Sequence, residues 1–542
     1  MYRNRLTARP IGIPNERIAQ EEEDLAFSND FLEGLIEDGD IFSIPNNALT
    51  VAKNVTVIRN LLMRRNGLSL YPKTKPNSNK ILNIYAFYHT STGINILRFT
   101  KSTIHKATAS GWSAVTGAGL TGGDSNFFSF AIGDNRLFFS NGTEVIQEYN
   151  PTALTYAALG NAPKYKYICT AFNRVIGANR INVTNKPYEI GWSGDMNYGE
   201  WDPTVDISAG SSPLVDSPTD VNDDITGIFN LQSILTIPRQ RSLWLANKQA
   251  SATNPFNFFV ASPRIGADVP RSIKLTEFGL MFFNYQHCTI YLWQPNADPI
   301  DVASTKVKRA IKAAITTPER VFADYSFNTK SYTIHVGNDN NNVVKSWTYH
   351  FDNKCWTYAE GTSIYAVDNL DFSSSSLTIN ELTGTINNLA GTIDSLSGIS
   401  NNSTRFFGFT DGELMTQAIY SGRADESASI VSTDNGTSYT SDITSKAFTL
   451  PIADTHINLL QLIITPRSTG TITLEYSKDE GSTWTTAKSV TIVAGNVDKS
   501  YPIIYKKAIR ARSFMWRITT ANCMFILHRF NIRILRAGVS KE

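Results

Sequence analysis

The segment Tyr325-Ser-Phe-Asn-Thr-Lys-Ser-Tyr-Thr-Ile-His-Val-Gly-Asn-Asp-Asn-Asn-Asn-Val-Val-Lys-Ser-Trp-Thr-Tyr-His-Phe-Asp-Asn-Lys-Cys-Trp356 holds one structural unit in miniature. Tyr332, Ile334 and Val336 alternate with polar residues, as on a half-buried strand whose side chains alternate between two faces. Asn338 to Asn342 make a turn-forming break. Trp347, Tyr349 and Phe351 mark a second strand, and a second polar turn leads to Trp356. The same order recurs at Phe128–Tyr149, and more weakly at Tyr167–Ile176, Ile234–Trp244 and Gly279–Trp293. Many short strands at regular spacing predict an all-β propeller, sandwich or barrel. Repetition of a four-stranded unit favours the β-propeller.

Composition bounds the rest. The chain has 542 residues, 42% of them hydrophobic, 11% aromatic and 18% charged. That apolar content supports a sizeable core and excludes a largely disordered chain. Fifty Lys and Arg stand against 48 Asp and Glu, so no global bias points to nucleic acid or a membrane. Cys169, Cys288, Cys355 and Cys523 are far apart, which excludes a disulfide scaffold and a CxxC zinc site. Such usage fits folding in a reducing cytoplasm. No signal peptide is expected, because no apolar run follows Met1. No stretch approaches the ~18 consecutive apolar residues of a membrane span.

Three regions are expected. Residues 1–45 are an acidic N-terminal extension, 46–430 the β-propeller, and 431–542 a C-terminal β-sandwich-like domain with a basic face. An inserted loop near 370–400 repeats Leu382-Thr-Gly-Thr-Ile386 as Leu389-Ala-Gly-Thr-Ile393, and its glycines oppose a helix. In the last region, Thr471-Ile-Thr-Leu-Glu-Tyr476 alternates strictly.

Charge is distributed unevenly. Residues 16–40 contain ten acidic residues, Glu21, Glu22 and Glu23 among them, and one basic residue. Residues 499–536 contain nine basic residues and no acidic one. Such blocks fit solvated faces. They also fit attraction between the two ends, within one chain or between neighbouring subunits, or contact of the basic end with DNA phosphates. The candidate DNA-facing or inter-subunit residues are Arg510, Arg512, Arg517, Arg529 and Arg533, with Glu21, Glu22 and Glu23 on the acidic side.

Motifs for chemistry are sparse. Gly117-Ala-Gly-Leu-Thr-Gly122 matches GxGxxG, but an expected strand follows it rather than a helix, so it is a loop. Ser477-Lys-Asp-Glu-Gly-Ser-Thr-Trp484 matches the Asp-box SxDxGxTW and resembles the turn motif of sialidase-type propellers. Ser477, Asp479, Gly481 and Trp484 are therefore expected to build a hairpin turn, with Asp479 accepting backbone N–H bonds. The histidines have no metal-binding spacing, and His287-Cys288 is expected as a packed pair inside an apolar strand. Asp339 lacks the acidic neighbours of an EF-hand, and Asp223 and Asp224 are adjacent rather than set across a cleft. Thr305–Ile315 is a short basic helix or a positive-edged strand. No catalytic centre, metal or cofactor is expected.

Four segments together resemble the tail nozzle proteins of short-tailed bacteriophages, also called tail tubular protein B or, in a related group, packaged-DNA stabilisation protein. The first is Asn46-Asn-Ala-Leu-Thr-Val-Ala-Lys-Asn-Val-Thr-Val-Ile-Arg-Asn-Leu-Leu-Met-Arg-Arg-Asn-Gly67, similar to the strand and Arg-Arg-x-Gly that open the propeller in that family. The second is Ile190-Gly-Trp-Ser-Gly-Asp-Met-Asn-Tyr-Gly-Glu-Trp-Asp-Pro203. The third is Ile225–Trp244, and the fourth the repeated Leu-Thr-Gly-Thr-Ile stretch. The likeness spans residues 45–400 in outline. It implies a structural virion protein in a homo-hexameric ring below the head–tail adaptor protein, extending the channel for viral double-stranded DNA. It further implies help in retaining and delivering the genome, contact with tail fibres or spikes, and a place in the virion tail after assembly in the host cytoplasm. The alternative is a glycan-binding or glycan-cleaving propeller, sialidase-like or tailspike-like.

Overall fold

The computed structural model describes residues 21–28, 30–58, 60–71, 73–108, 110–181, 185–215, 222–231, 233–338, 342–370, 404–418, 431–450 and 455–536. The repeats between 382 and 399, and Asp339, lie outside the described residues.

The segment quoted first folds as an antiparallel meander: Val321–Ser326, Ser331–Gly337, Val343–His350 and Cys355–Thr362. Six further four-stranded meanders stand as separate sheets. Five follow the chain, within residues 83–115, 129–158, 165–213, 229–262 and 274–301. The sixth joins Ile364–Leu370, Thr404–Phe409 and Leu414–Ala418 to Ser69–Leu70 from the beginning of the ring.

First strands meet in a circle. The strand 129–133 contacts 165–171, which contacts 229–231. Strand 274–276 contacts 321–326, which contacts 364–370, which contacts 83–89. Tyr85 stacked on Phe130 at 4.2 Å bridges one remaining joint, and a core of Leu243, Leu245, Leu280 and Phe282 fills the other. The arrangement is a β-propeller. Its last sheet is completed by an early strand, so the ring is sealed by hydrogen bonds and leaves no open seam.

This packing corrects one expectation. Ser331–Gly337 is buried at every position, because neighbouring sheets cover both of its faces. A second correction concerns His287 and Cys288. They lie in the turn between Gly279–Asn284 and Thr289–Trp293, where the Asn284 side chain accepts the His287 N–H at 2.7 Å. The basic stretch near 305–315 forms a helix at Lys308–Ala314.

The second unit is a sandwich made from both ends of the described chain. One sheet contains Glu21–Ser28, Val55–Ile58, Leu61–Arg64, Thr455–Pro466, Tyr501–Tyr505, Ile509–Arg510 and Phe525–Arg536. The other continues outward from Cys355–Thr362 through Gly34–Leu35, Ala48–Lys53, Ser441–Ser445, Ser513–Thr520, Gly470–Ser477 and Thr485–Ile492. Residues 48–64 thus belong to the sandwich rather than opening the propeller, because Leu49, Ala52, Val55, Val57 and Leu62 face its core. One continuous core holds ring residues such as Tyr332 and Trp347 together with sandwich residues such as Leu462 and Trp516.

Candidate functional site

The strongest polar constellation lies among the inner strands. Asp324, 3% exposed, accepts hydrogen bonds from the Arg405 guanidinium at 2.5 Å and from His335 Nε2 at 2.7 Å. The Asn369 side-chain amide donates to its second oxygen at 2.7 Å. Desolvation pushes the Asp324 pKa up, but the charge of Arg405 and the hydrogen bonds outweigh it. The carboxyl is held well below its usual range. Burial lowers the His335 pKa, which leaves a neutral ring with its Nε2 proton directed at Asp324. Its Nδ1 then accepts from the Ser346 hydroxyl at 2.8 Å.

Asp368 and Lys274 extend this network across neighbouring sheets. Desolvation pushes the Asp368 carboxyl up to about 7, against the opposing pull of Lys274 and of the backbone N–H groups of Asn369 and Ala86. Desolvation also lowers the Lys274 ammonium. Nearby, the Arg271 guanidinium lies 3.6 Å from the Phe127 ring centre and 4.7 Å from that of Phe322. It donates to the Tyr365 carbonyl at 2.5 Å. These contacts join separate sheets, so the network acts as a set of fasteners. Asp324 engages an arginine and a neutral histidine, a pairing suited to holding sheets in register.

A second constellation ties the sandwich strand Leu61–Arg64 to residues 432–441 and to Ala521, just before the chain enters the ring at Ser69–Leu70. Arg64 is 1% exposed and donates to the carbonyls of Ser432, Tyr439 and Ala521 at 3.0, 2.7 and 2.8 Å, and to Ser441 Oγ at 3.1 Å. Arg65 forms a two-pronged pair with Asp434 at 2.9 and 2.5 Å. Both guanidiniums lie over the Tyr439 ring, at 4.0 and 3.8 Å. A Cβ on Gly67 would fall 2.0 Å from the Thr433 carbonyl oxygen, so only glycine fits where this knot meets the ring.

The residues chosen from the charge pattern have several fates. Arg510, Arg512 and Arg529 are exposed. Arg517 is half-buried, bonded to Glu475 at 2.8 Å and stacked over Trp484 at 4.3 Å, so its charge is spent inside the domain. Arg533 lies opposite Asp24 in the register of Glu21–Ser28 with Phe525–Arg536. Glu21 lies opposite Arg536, while Glu22 and Glu23 lie opposite Leu535 and Ile534. Acidic residues further on hold the sandwich to the ring. Glu33 pairs with Lys306 at 3.2 Å, Glu37 accepts from Trp347 Nε1 at 3.0 Å, and Asp38 accepts the Arg309 N–H at 2.8 Å.

The Asp-box is a hairpin turn. Asp479 accepts from Ser477 Oγ at 2.6 Å and from the Thr483 N–H at 2.8 Å, and these bonds lower its pKa to about 2. Gly481 adopts φ of 87°, which favours glycine. The turn links Gly470–Ser477 to Thr485–Ile492, and Trp484 is covered by Arg517. The GxGxxG segment runs as a loop between strands. Among the described residues, no group of three His, Cys, Asp or Glu side chains is placed to hold a metal.

Sequence reasoning missed Asp324, His335 and Arg405 as a group, because their spacing along the chain says nothing of their meeting across two sheets. A signal did exist. Asp324 interrupts the apolar run Val321-Phe-Ala-Asp-Tyr325, and a lone carboxylate on a core strand requires a partner.

No protein-family model matches the chain, and no curated protein matches it. Among solved structures, it is similar to the crystal structure of Saccharomyces cerevisiae Sqt1, at 8% identity and a TM-score of 0.37, covering 66% of this chain and 99% of that one. The propeller is therefore defined by the sheet order described above. No helix among the described residues is long and apolar enough to cross a membrane.

Proposed function

We propose that this chain is a structural subunit of the tail nozzle of a short-tailed bacteriophage, carrying the DNA channel below the head–tail adaptor and helping to retain and deliver the genome. The observation that carries the proposal is the place of the residues behind the resemblance. Arg64, Arg65 and Gly67 build a knot with residues 432–434, where the chain passes from the sandwich toward the ring. Trp192 and Trp201 are buried, and Trp201 packs on Tyr165 at 5.7 Å. Arg239 is fully buried and donates to the carbonyls of Asp223 and Leu214. All of these serve rigidity rather than a reactive cleft, as a load-carrying virion part requires.

The glycan alternative needs paired carboxylates facing a cleft. Two surface grooves, one beside Trp192, Ile207 and Asn254 and one beside Thr143, Lys164 and Arg180, have no carboxylate in their linings. The Asp-box aspartate is taken up by its own turn.

Electron microscopy of phage particles labelled with gold-tagged antibody to this chain tests the proposal. Label on the tail, directly below the head, is expected. Label on peripheral spikes, or none on particles, overturns it.

A further inference from the structure

One groove lies between the outer strands of two neighbouring ring sheets, those within residues 165–213 and 229–262. Trp192, Pro203, Ile207, Gly210 and Ser212 line it from the first sheet and its loop, and Asn254 from the second. Its volume is about 410 Å³, within the roughly 300–1,000 Å³ of ligand sites. No charged side chain belongs to the lining. Gly210 pairs with Trp192, and a Cβ on it would lie 3.0 Å from the indole Cζ2. Glycine at this position keeps the groove open above the indole.

One wall is an unused strand edge. Gly210–Pro213 pairs with Lys186–Trp192 along one side, and among the described residues no strand pairs with its other side. On an antiparallel edge, alternate backbone N–H and C=O groups point outward and await a partner. Pro213 has no N–H, so the usable edge is Gly210–Ser212.

The rim is apolar and faces water. Val205 is 70% exposed and Ile207 63%. Their loop is pinned by its own bonds. Asp202 accepts from the Thr204 N–H at 2.8 Å and its hydroxyl at 2.7 Å, and Asp206 from the Ser208 N–H at 2.9 Å and its hydroxyl at 2.6 Å. The Asp206 N–H donates to the Asp202 carbonyl at 2.9 Å. These bonds hold Val205 and Ile207 outward. They also lower the pKa of both aspartates, so the rim keeps two negative charges.

We propose that this groove binds an extended apolar peptide segment of another protein, with a basic residue beside its apolar part. The segment adds as a strand along Gly210–Ser212, and its alternate side chains pack against Ile207 and above Trp192. The basic residue meets the charges of Asp202 and Asp206. A carbohydrate suits the groove less, because stacking needs an open ring face and Trp192 is only 3% exposed. The inference goes beyond the nozzle reading and does not depend on it.

The test is selection of displayed random peptides, about ten residues long, on the full chain, then fluorescence anisotropy of the enriched sequences. Val205→Asp with Ile207→Asp is one variant, and Asn254→Trp, which fills the groove from its other wall, is a second. All three positions are exposed, so both variants are expected to keep wild-type circular dichroism. Enriched peptides are expected to alternate apolar residues, to carry Lys or Arg, and to lose roughly tenfold or more in affinity on either variant. Methylation of alternate backbone nitrogens, in one of its two phases, is expected to weaken them as much, because it removes the donors that pair with the edge. No enriched peptide, peptides that both variants bind as tightly as wild type, or unchanged binding after methylation in both phases overturns the proposal. So does enrichment of acidic peptides alone. Binding to a neutral glycan array that Asn254→Trp abolishes, with no peptide dependent on the groove, also overturns it and assigns the groove to carbohydrate. Should one variant misfold, the other decides.

Discussion

The ring and the sandwich bury their strands in different ways, and their charges follow suit. In the ring, Ser331–Gly337 is covered on both faces, and charged residues such as Asp324 and Arg405 are enclosed and paired between sheets. In the sandwich, Gly470–Ser477 alternates buried and half-buried or exposed positions, and much of the charge lies at the edges. A sheet packed between two others has no solvent face, so a polar residue in it must find a protein partner. A sandwich sheet keeps one wet face, and its charges cost little where they stand. Buried charge in the ring is therefore a fastening, whereas sandwich residues such as Arg510 and Arg512 keep their charge in water.

Substitutions should separate the two regimes. The largest loss is expected where the chain passes from the sandwich toward the ring. Arg64→Ala strands three buried carbonyls and should cost about 4 kcal/mol in urea denaturation. A loss below about 1 kcal/mol would remove the knot from the account. Asp324→Asn leaves Arg405 without its anion and should cost about 3 kcal/mol by the same measurement. Equal stability of wild type and variant would mean the ring charges do not fasten sheets.

Asp368→Asn should act in the other direction and depend on pH. The folded chain holds this proton up to about pH 7, whereas an unfolded aspartate releases it near 3.8. The folded state therefore binds more protons between these values, and wild-type stability from this group falls as pH rises through them. The variant escapes that fall, so it should gain about 1–2 kcal/mol near pH 8 and nothing near pH 4. A gain independent of pH would assign the effect to packing. The smallest effect is expected on the sandwich surface, where Arg512→Ala should change stability by less than about 0.5 kcal/mol. A loss well above that would show that the exposed edge charge also serves the fold.

The same contrast explains what could be read from the residues alone. Thr471–Tyr476 alternates in sequence because one face of its sheet is exposed, and its strand was legible. Ser331–Val336 also alternates, yet its polar positions are buried, since Thr333 and His335 find partners in Thr348 and in Asp324 with Ser346. Periodicity located the strand but not its second buried face. The domain boundary near residue 46 failed for a related reason. Leu49, Val55 and Leu62 are apolar enough for either unit, and only long-range pairing assigns them to the sandwich. The Asp-box turn was legible in full, because its bonds run between residues at most four positions apart. His287-Cys288 was misplaced because a hairpin turn following Phe282-Phe283-Asn284 looks, in one dimension, like a continuing strand.

The central claim is that ring and sandwich form one cooperative unit, because strands from both sides of the ring sequence cross into the sandwich and one core spans the two. Hydrogen exchange read by mass spectrometry on wild type and Arg64→Ala tests it most directly. The account predicts that protection falls together in ring peptides covering 331–362 and in sandwich peptides covering 513–536. Loss of protection in the sandwich alone, with the ring peptides unchanged, would contradict it.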